Sequence, residues 1–197
     1  MKKRFTNRTS ETKSALTPEE ANEWFTPACY IEAARAIMGD IDLDPASCAQ
    51  ANKTVKAFQY YTAKDGGLDL PWTGRVWLNP PFMSMTGERS QYPLWTRKLI
   101  DEYESWNVEQ AVLLIPVHTE RKWFQDLYRY SICFCDHQIL FERPGRDPYH
   151  VYHGLCFVFM GHNIGHFVEV FSQFGPVAPM FVQARHRIQQ LQLEVAP

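Results

Sequence analysis

Neither sign of charge dominates this sequence: 20 Lys and Arg stand against 22 Asp and Glu, a formal net charge of −2. That balance excludes a globally basic nucleic-acid binder, so any grip on phosphates must come from local clusters. Long hydrophobic runs are also missing. The longest, such as 111–117, fall far short of the roughly 20 residues that cross a bilayer. The basic start at 1–8 is followed by polar residues instead of the apolar core of a secretory leader, so a cytoplasmic protein is expected. Cysteine is scarce and odd in number: Cys29, Cys48, Cys133, Cys135 and Cys156 read as reduced thiols, not as a disulfide framework. Cys133, Cys135 and His137 form a C-x-C-x-H array, but no second cysteine pair completes a four-ligand zinc set. Its alternation fits a strand facing the core, and no metal is expected.

What is present is an ordinary globular composition, 45% hydrophobic and 21% charged, in a length suited to one domain. Residues 1–16 are polar and aperiodic and are expected to form a flexible arm, leaving 17–197 as the single domain. Thr17-Pro18-Glu19-Glu20 has the form of a helix start, and Thr26-Pro27 repeats it, opening a helix that stops at Gly39. Beyond it the pattern predicts strands at 41–44, 75–78, 111–117, 131–135, 138–142, 155–160 and 167–171. Helices are predicted at 46–58, 92–105, 119–130 and 181–193. Strands separated by helices of this length imply an α/β fold: a mostly parallel sheet with an antiparallel edge and helices on both faces.

The strongest local signal is Asn79-Pro80-Pro81-Phe82, directly after the strand Arg75-Val76-Trp77-Leu78. In open α/β sheets, ligands bind beyond the carboxyl ends of the strands. An exocyclic aromatic amine is a poor nucleophile because its lone pair is delocalised into the ring. Two acceptors on its two protons, the Asn79 side-chain oxygen and the Pro80 carbonyl, favour a tetrahedral nitrogen and release that lone pair. The prolines fix the backbone, and Phe82 offers a face on which a flipped base stacks. Asp42-Leu43-Asp44-Pro45 follows an earlier apolar strand, where its carboxylates can accept from an adenosyl ribose or a methionine ammonium. Asp65, in Lys64-Asp65-Gly66-Gly67-Leu68, can accept from an adenine amine.

Taken in order, these segments resemble the phage-type (Dam-like) DNA N6-adenine methyltransferases over 24–159. The resemblance rests on Trp24-Phe25-Thr26-Pro27, Asp42-Leu43-Asp44-Pro45-Ala46, Tyr61-Thr62 with Asp65 and Leu68, and Gly74 through Phe82. It continues through Leu114-Ile115-Pro116, Thr119, Trp123-Phe124, Phe141-Glu142-Arg143 and the strand Gly154 to Phe159. It implies a Rossmann-like methyltransferase sheet and S-adenosyl-L-methionine as cofactor. Trp24, Thr26, Pro27, Asp42 and Asp44 would border the cofactor, Asp65 would hold its adenine, and Asn79, Pro80, Pro81 and Phe82 would hold the target adenine of double-stranded DNA. One departure stands out: the glycine-rich loop of the wider methyltransferase class is replaced by 42–46, which has no glycine.

No separate target-recognition domain is expected within these 197 residues. The loop 83–92, with Arg89 and Gln91, is the first candidate for base-edge contacts, and the segment 142–153, with Arg143 and Arg146, the second. Further basic clusters lie at Lys2, Lys3, Arg4 and Arg8, at Arg121 and Lys122, and at Arg185 and Arg187. None of the seven histidines is assigned a catalytic role, because methylation by a sulfonium needs no strong base before attack. A monomer in a bacterial or phage-infected cell is the expected state. The competing readings are a methyltransferase acting on RNA adenine or protein glutamine, and a catalytically silent DNA-binding protein of the same fold.

Overall fold

A computed structural model describes residues 24–81, 91–143, 146–150 and 153–179. The predicted helix start at 17–20, the arm 1–16, Phe82, Arg89 and the predicted helix 181–193 lie outside the described residues. For Arg143 and Arg146 only the backbone is described.

The chain folds around a seven-stranded sheet. Its strands are β1 (Leu43–Asp44), β2 (Gln59–Tyr60), β3 (Gly74–Leu78), β4 (Val108–Pro116), β5 (Ser131–Phe134), β8 (Leu155–Met160) and β9 (Val177–Ala178). They lie in the order β2-β1-β3-β4-β8-β5-β9, and β6 (Leu140–Arg143) pairs with β7 (Arg146–His150) in a separate hairpin. β2, β1, β3 and β4 are mutually parallel, whereas every pairing from β4 outward is antiparallel. By direction only β8 and β9 run against the other five, so the sheet is mostly parallel, with its antiparallel pairings gathered on the β8-β5-β9 side as expected. β8 inserts between β4 and β5, and β9 forms the outer edge on that side.

Period-two alternation on the central strands separates two cores. Trp77, Val112, Leu114, Phe157 and Phe159 face one side, where α1 (Ala28–Met38) and α5 (Ile164–Phe171) cover them. Val76, Leu78, Leu113, Ile115 and Val158 face the other, beneath α3 (Tyr92–Glu104) and α4 (Lys122–Gln125). Helices thus cover both faces. Among the described residues no helix is long and apolar enough to cross a membrane.

The predicted helix 46–58 shrinks to α2 (Asn52–Val55). Its first residues are drawn into the site: the Ser47 N–H bonds to the Tyr61 carbonyl at 2.9 Å. Lys56, at φ 52°, closes the helix in the left-handed region. The predicted helix 119–130 starts late, at Lys122, and ends as a 3-10 turn at Asp126–Arg129. The Thr119 carbonyl accepts from the Gln125 side chain at 3.1 Å and the Tyr128 hydroxyl at 3.3 Å. Side chains thus meet it in place of a helical amide. The predicted strand 167–171 is the helix α5, capped where the Asn163 side chain accepts from the His166 N–H at 3.2 Å. Phe167 and Phe171, both fully buried, are four residues apart, a spacing that puts two side chains on one face in either period.

Candidate active site

The chain leaves β1 for β2 on one side, then crosses back to β3 on the other side of β1. The gap between the carboxyl ends of β1 and β3 is thus the switch point where open α/β sheets bind ligands. A cavity of about 290 Å³ lies there, just below the roughly 300–1,000 Å³ usual for ligand clefts. The turn after β1 supplies Asp44, Pro45, Ala46 and Ser47; the loop after β2 supplies Thr62, Gly66, Gly67 and Asp69; β3 and its exit supply Trp77, Asn79, Pro80 and Pro81. Trp24 to Thr26 close one side, and Gln91 and Trp95 of the α3 start close the other.

Asn79 is oriented from outside the cavity. Its side-chain N–H groups donate to the Thr26 hydroxyl at 3.2 Å and the Trp24 carbonyl at 3.3 Å. That leaves Oδ1 as a buried acceptor with no partner among the described residues. An unsatisfied buried acceptor costs about 1–3 kcal/mol, and native proteins retain few of them. The Trp24 segment is itself anchored. Phe25 exchanges backbone hydrogen bonds with Glu142 of β6 at 2.9 and 3.1 Å, and the Trp24 ring packs edge-on against Phe141 and Tyr149 of the β6–β7 hairpin.

The loop after β2 approaches the β1 turn closely. A Cβ on Gly67 would come within 2.1 Å of the Pro45 carbonyl oxygen, so this contact requires glycine. The buried Trp72 indole donates to the Gly67 carbonyl at 2.8 Å and stacks on Trp95.

The sequence-predicted residues separate into groups. Trp24, Thr26, Asp44, Asn79, Pro80, Pro81 and Gln91 all line the cavity. Asp44 is 3% exposed and accepts from the Ala46 N–H at 3.2 Å. Gln91, expected to read base edges, forms cavity wall and accepts from the Trp95 indole at 3.3 Å. Pro27 stands behind the wall as the N-cap of α1. Asp42 is not in the cavity. Its carboxylate takes two bonds from the Arg75 guanidinium, at 2.7 and 2.8 Å, and one from the Arg75 N–H at 2.8 Å. Those guanidinium bonds hold its carboxyl below the usual carboxylate range, and the pair fastens the entry of β1 to that of β3. Asp65 is exposed and lies outside the lining. It accepts from the Thr62 hydroxyl at 2.6 Å and the Thr62 N–H at 2.7 Å, bonds that lower its pKa and shape the loop. Asp69 is the carboxylate of that loop that reaches the cavity.

Ser47, Gly67, Asp69, Trp77 and Trp95 are lining residues that sequence reasoning missed. Ser47 stands one place beyond the Asp42–Ala46 segment, so that motif ended one residue early. Cys133, of the C-x-C-x-H array, is buried, its thiol donating to the Phe171 carbonyl at 3.3 Å. Among the described residues no three His, Cys, Asp or Glu side chains are grouped to hold a metal ion.

A cleft at the switch point of a two-faced α/β sheet, with an asparagine acceptor left open at its wall, marks an α/β domain with a candidate ligand site. The sequence matches the family described as DNA N-6-adenine-methyltransferase (Dam) over residues 13–143. This chain belongs to that family. No curated protein and no solved structure matches it.

Proposed function

We propose that the chain methylates N6 of adenine in double-stranded DNA, holding S-adenosyl-L-methionine in the cavity and receiving a flipped-out adenine at its Asn79–Pro81 wall. The observation that carries this reading is the buried, partnerless Oδ1 of Asn79. When bound, the cofactor supplies an electrophilic methyl group on a sulfonium. The protein's part is to prepare the amine. Asn79 Oδ1 accepts one N–H of the adenine amine and the Pro80 carbonyl accepts the other, which drives the nitrogen toward tetrahedral geometry with its lone pair free. The proton leaves to water afterwards, so the absence of histidine, lysine and arginine from the described lining is compatible with the chemistry.

The two-faced sheet with its site at the β1/β3 switch point fits a Rossmann-like methyltransferase domain. Asp44, Trp24 and Thr26 are read as cofactor contacts, and Asp65 as the residue that holds the loop carrying Thr62 and Gly66 in place. Phe82 is read as the stacking face for the adenine. The β6–β7 hairpin is tied to the Trp24 segment, which supports reading Arg143 and Arg146 as DNA contacts, with Arg89 as a further one. The test is expression in a host free of adenine methylation, followed by mapping of modified bases. N6-methyladenine at a defined sequence is the expected result. Unmodified DNA, with label from the methyl donor appearing in RNA or protein, would overturn the DNA reading.

A further inference from the structure

We propose that Ser47 is a positioning residue which, with Asp44, holds the ribose diol of the cofactor; the inference rests on the reading of the cavity as a cofactor site. Ser47 Oγ is buried and without a hydrogen-bond partner, as Asn79 Oδ1 is, and both residues line the same cavity. The serine does not swing freely: its backbone N–H is fixed to the Tyr61 carbonyl at 2.9 Å. A hydroxyl held in that place, buried and without a partner among the described residues, is satisfied when the ligand supplies one.

The charges around it select the partner. The described lining carries two carboxylates, Asp44 and Asp69, and no lysine, arginine or histidine. A ligand carboxylate brought to Ser47 would meet like charge with nothing to offset it. A neutral hydroxyl meets no such penalty: it donates to the acceptor-only Asp44 and accepts from Ser47. Two adjacent hydroxyls, as on a ribose, match one acceptor beside one donor–acceptor group. The neighbouring wall is apolar, with Ala51, Val55 and Leu68, which suits the purine attached to that ribose. The position along the sheet agrees. The methyl group must reach Asn79 at the exit of β3, while Ser47 is tied to the end of β2, on the far side of β1.

The test uses the full chain, its S47A variant and two probes. S-adenosylhomocysteine carries the ribose and the amino-acid end; 5′-methylthioadenosine carries the ribose alone. S47A should melt no lower than wild type without ligand, because the hydroxyl it removes is unsatisfied. It should bind both probes about tenfold more weakly, equivalent to 1.4 kcal/mol at 25 °C. With the 2′-deoxy or the 3′-deoxy form of 5′-methylthioadenosine, the difference between wild type and S47A should vanish for one of the two, as a double-mutant cycle requires. Equal binding of S-adenosylhomocysteine by both proteins overturns the inference. So does a loss confined to that probe, which would place Ser47 at the amino-acid end, and so does a lower melting point of unliganded S47A, which would reveal an internal partner. Failure of the wild type to bind either probe would instead remove the cofactor reading, and this inference with it.

Discussion

The Asn79 side chain donates to the Thr26 hydroxyl at 3.2 Å, and this bond fixes which way the amide faces. Thr26 is 8% exposed and stands beside the N-cap of α1, so it is held by the helix start as well as by burial. The residue that orients the Asn79 amide at the cavity wall thus comes from a segment more than fifty positions earlier in the chain.

That relationship predicts a graded effect at Thr26. Thr26→Ser retains the hydroxyl and should retain the rate. Thr26→Val keeps the shape but removes the acceptor, leaving the Trp24 carbonyl alone to orient the amide. The loss of one such bond, about 1 kcal/mol, should slow single-turnover methylation roughly five- to tenfold. Equal rates for Val and Ser would mean that the Trp24 carbonyl suffices.

A second prediction concerns the closeness of the loops after β1 and β2, which the proposed function assigns to the cofactor. In Gly67→Ala the new methyl would overlap the Pro45 carbonyl, a backbone atom that cannot rotate away. Overpacking of this kind costs about 1–3 kcal/mol. The denaturation midpoint should fall, and the melting shift induced by S-adenosylhomocysteine should shrink with it as the loops part. A variant with wild-type stability and ligand response would show that the loop yields freely.

A third prediction is a pH dependence of stability. Arg75 holds the Asp42 carboxyl below its ordinary value, so the folded state binds the Asp42 proton less readily than the unfolded chain does. The stabilisation is therefore complete above the unfolded carboxylate value of about 3.9 and is lost as pH falls from there through the lower folded value. Asp42→Asn lacks this contribution, which for a partly exposed pair is about 1 kcal/mol or less. The stability difference between wild type and variant should be flat around neutrality and should narrow below about pH 4. A difference unchanged into that acid range would remove the ion pair as its cause.

The central sheet strands and the β3 exit were legible because each is encoded locally. An apolar run of strand length followed by Asn79-Pro80-Pro81 needs no distant partner to be recognised. Gly39, at φ 86°, ended α1 where the sequence placed the stop. The errors fall where a distant partner decides. Phe167 and Phe171 carry a spacing that helix and strand share, and Asn163 settles it by capping. The stretch after Asp44 has helical composition, yet its backbone is claimed by Tyr61. Asp42 and Asp44 look equivalent in sequence, but Arg75, thirty-three positions on from Asp42, takes the first and leaves the second at the cavity. Ser47 carries no motif of its own; its significance lies in a missing partner, which only the folded arrangement reveals.

The last prediction addresses the chemistry directly. Asn79→Ala removes the acceptor that, on the proposed function, stands where charge develops on the amine. The loss should resemble removal of a preorganised transition-state hydrogen bond, about 2.7–4 kcal/mol or 10²–10³ in rate. Asn79→Asp supplies an acceptor of the same size, and a carboxylate accepts at least as strongly as an amide. The structure adds a cost to that exchange. The second carboxylate oxygen would replace the nitrogen that now donates to Trp24 and Thr26. It would face the Trp24 carbonyl as one acceptor against another, with only the Thr26 hydroxyl able to turn and donate. The expected order is therefore wild type, then Asp with a substantial but reduced rate, then Ala with very little. Combining Asn79→Asp with Thr26→Val should remove the compensating donor and bring the rate close to that of Ala, whereas Asn79→Asp with Thr26→Ser should not. Single-turnover methylation at saturating cofactor separates this step from product release. If Ala matched Asp, Asn79 would act by shaping the Pro80-Pro81 turn, and activation of the amine by its oxygen would have to be abandoned.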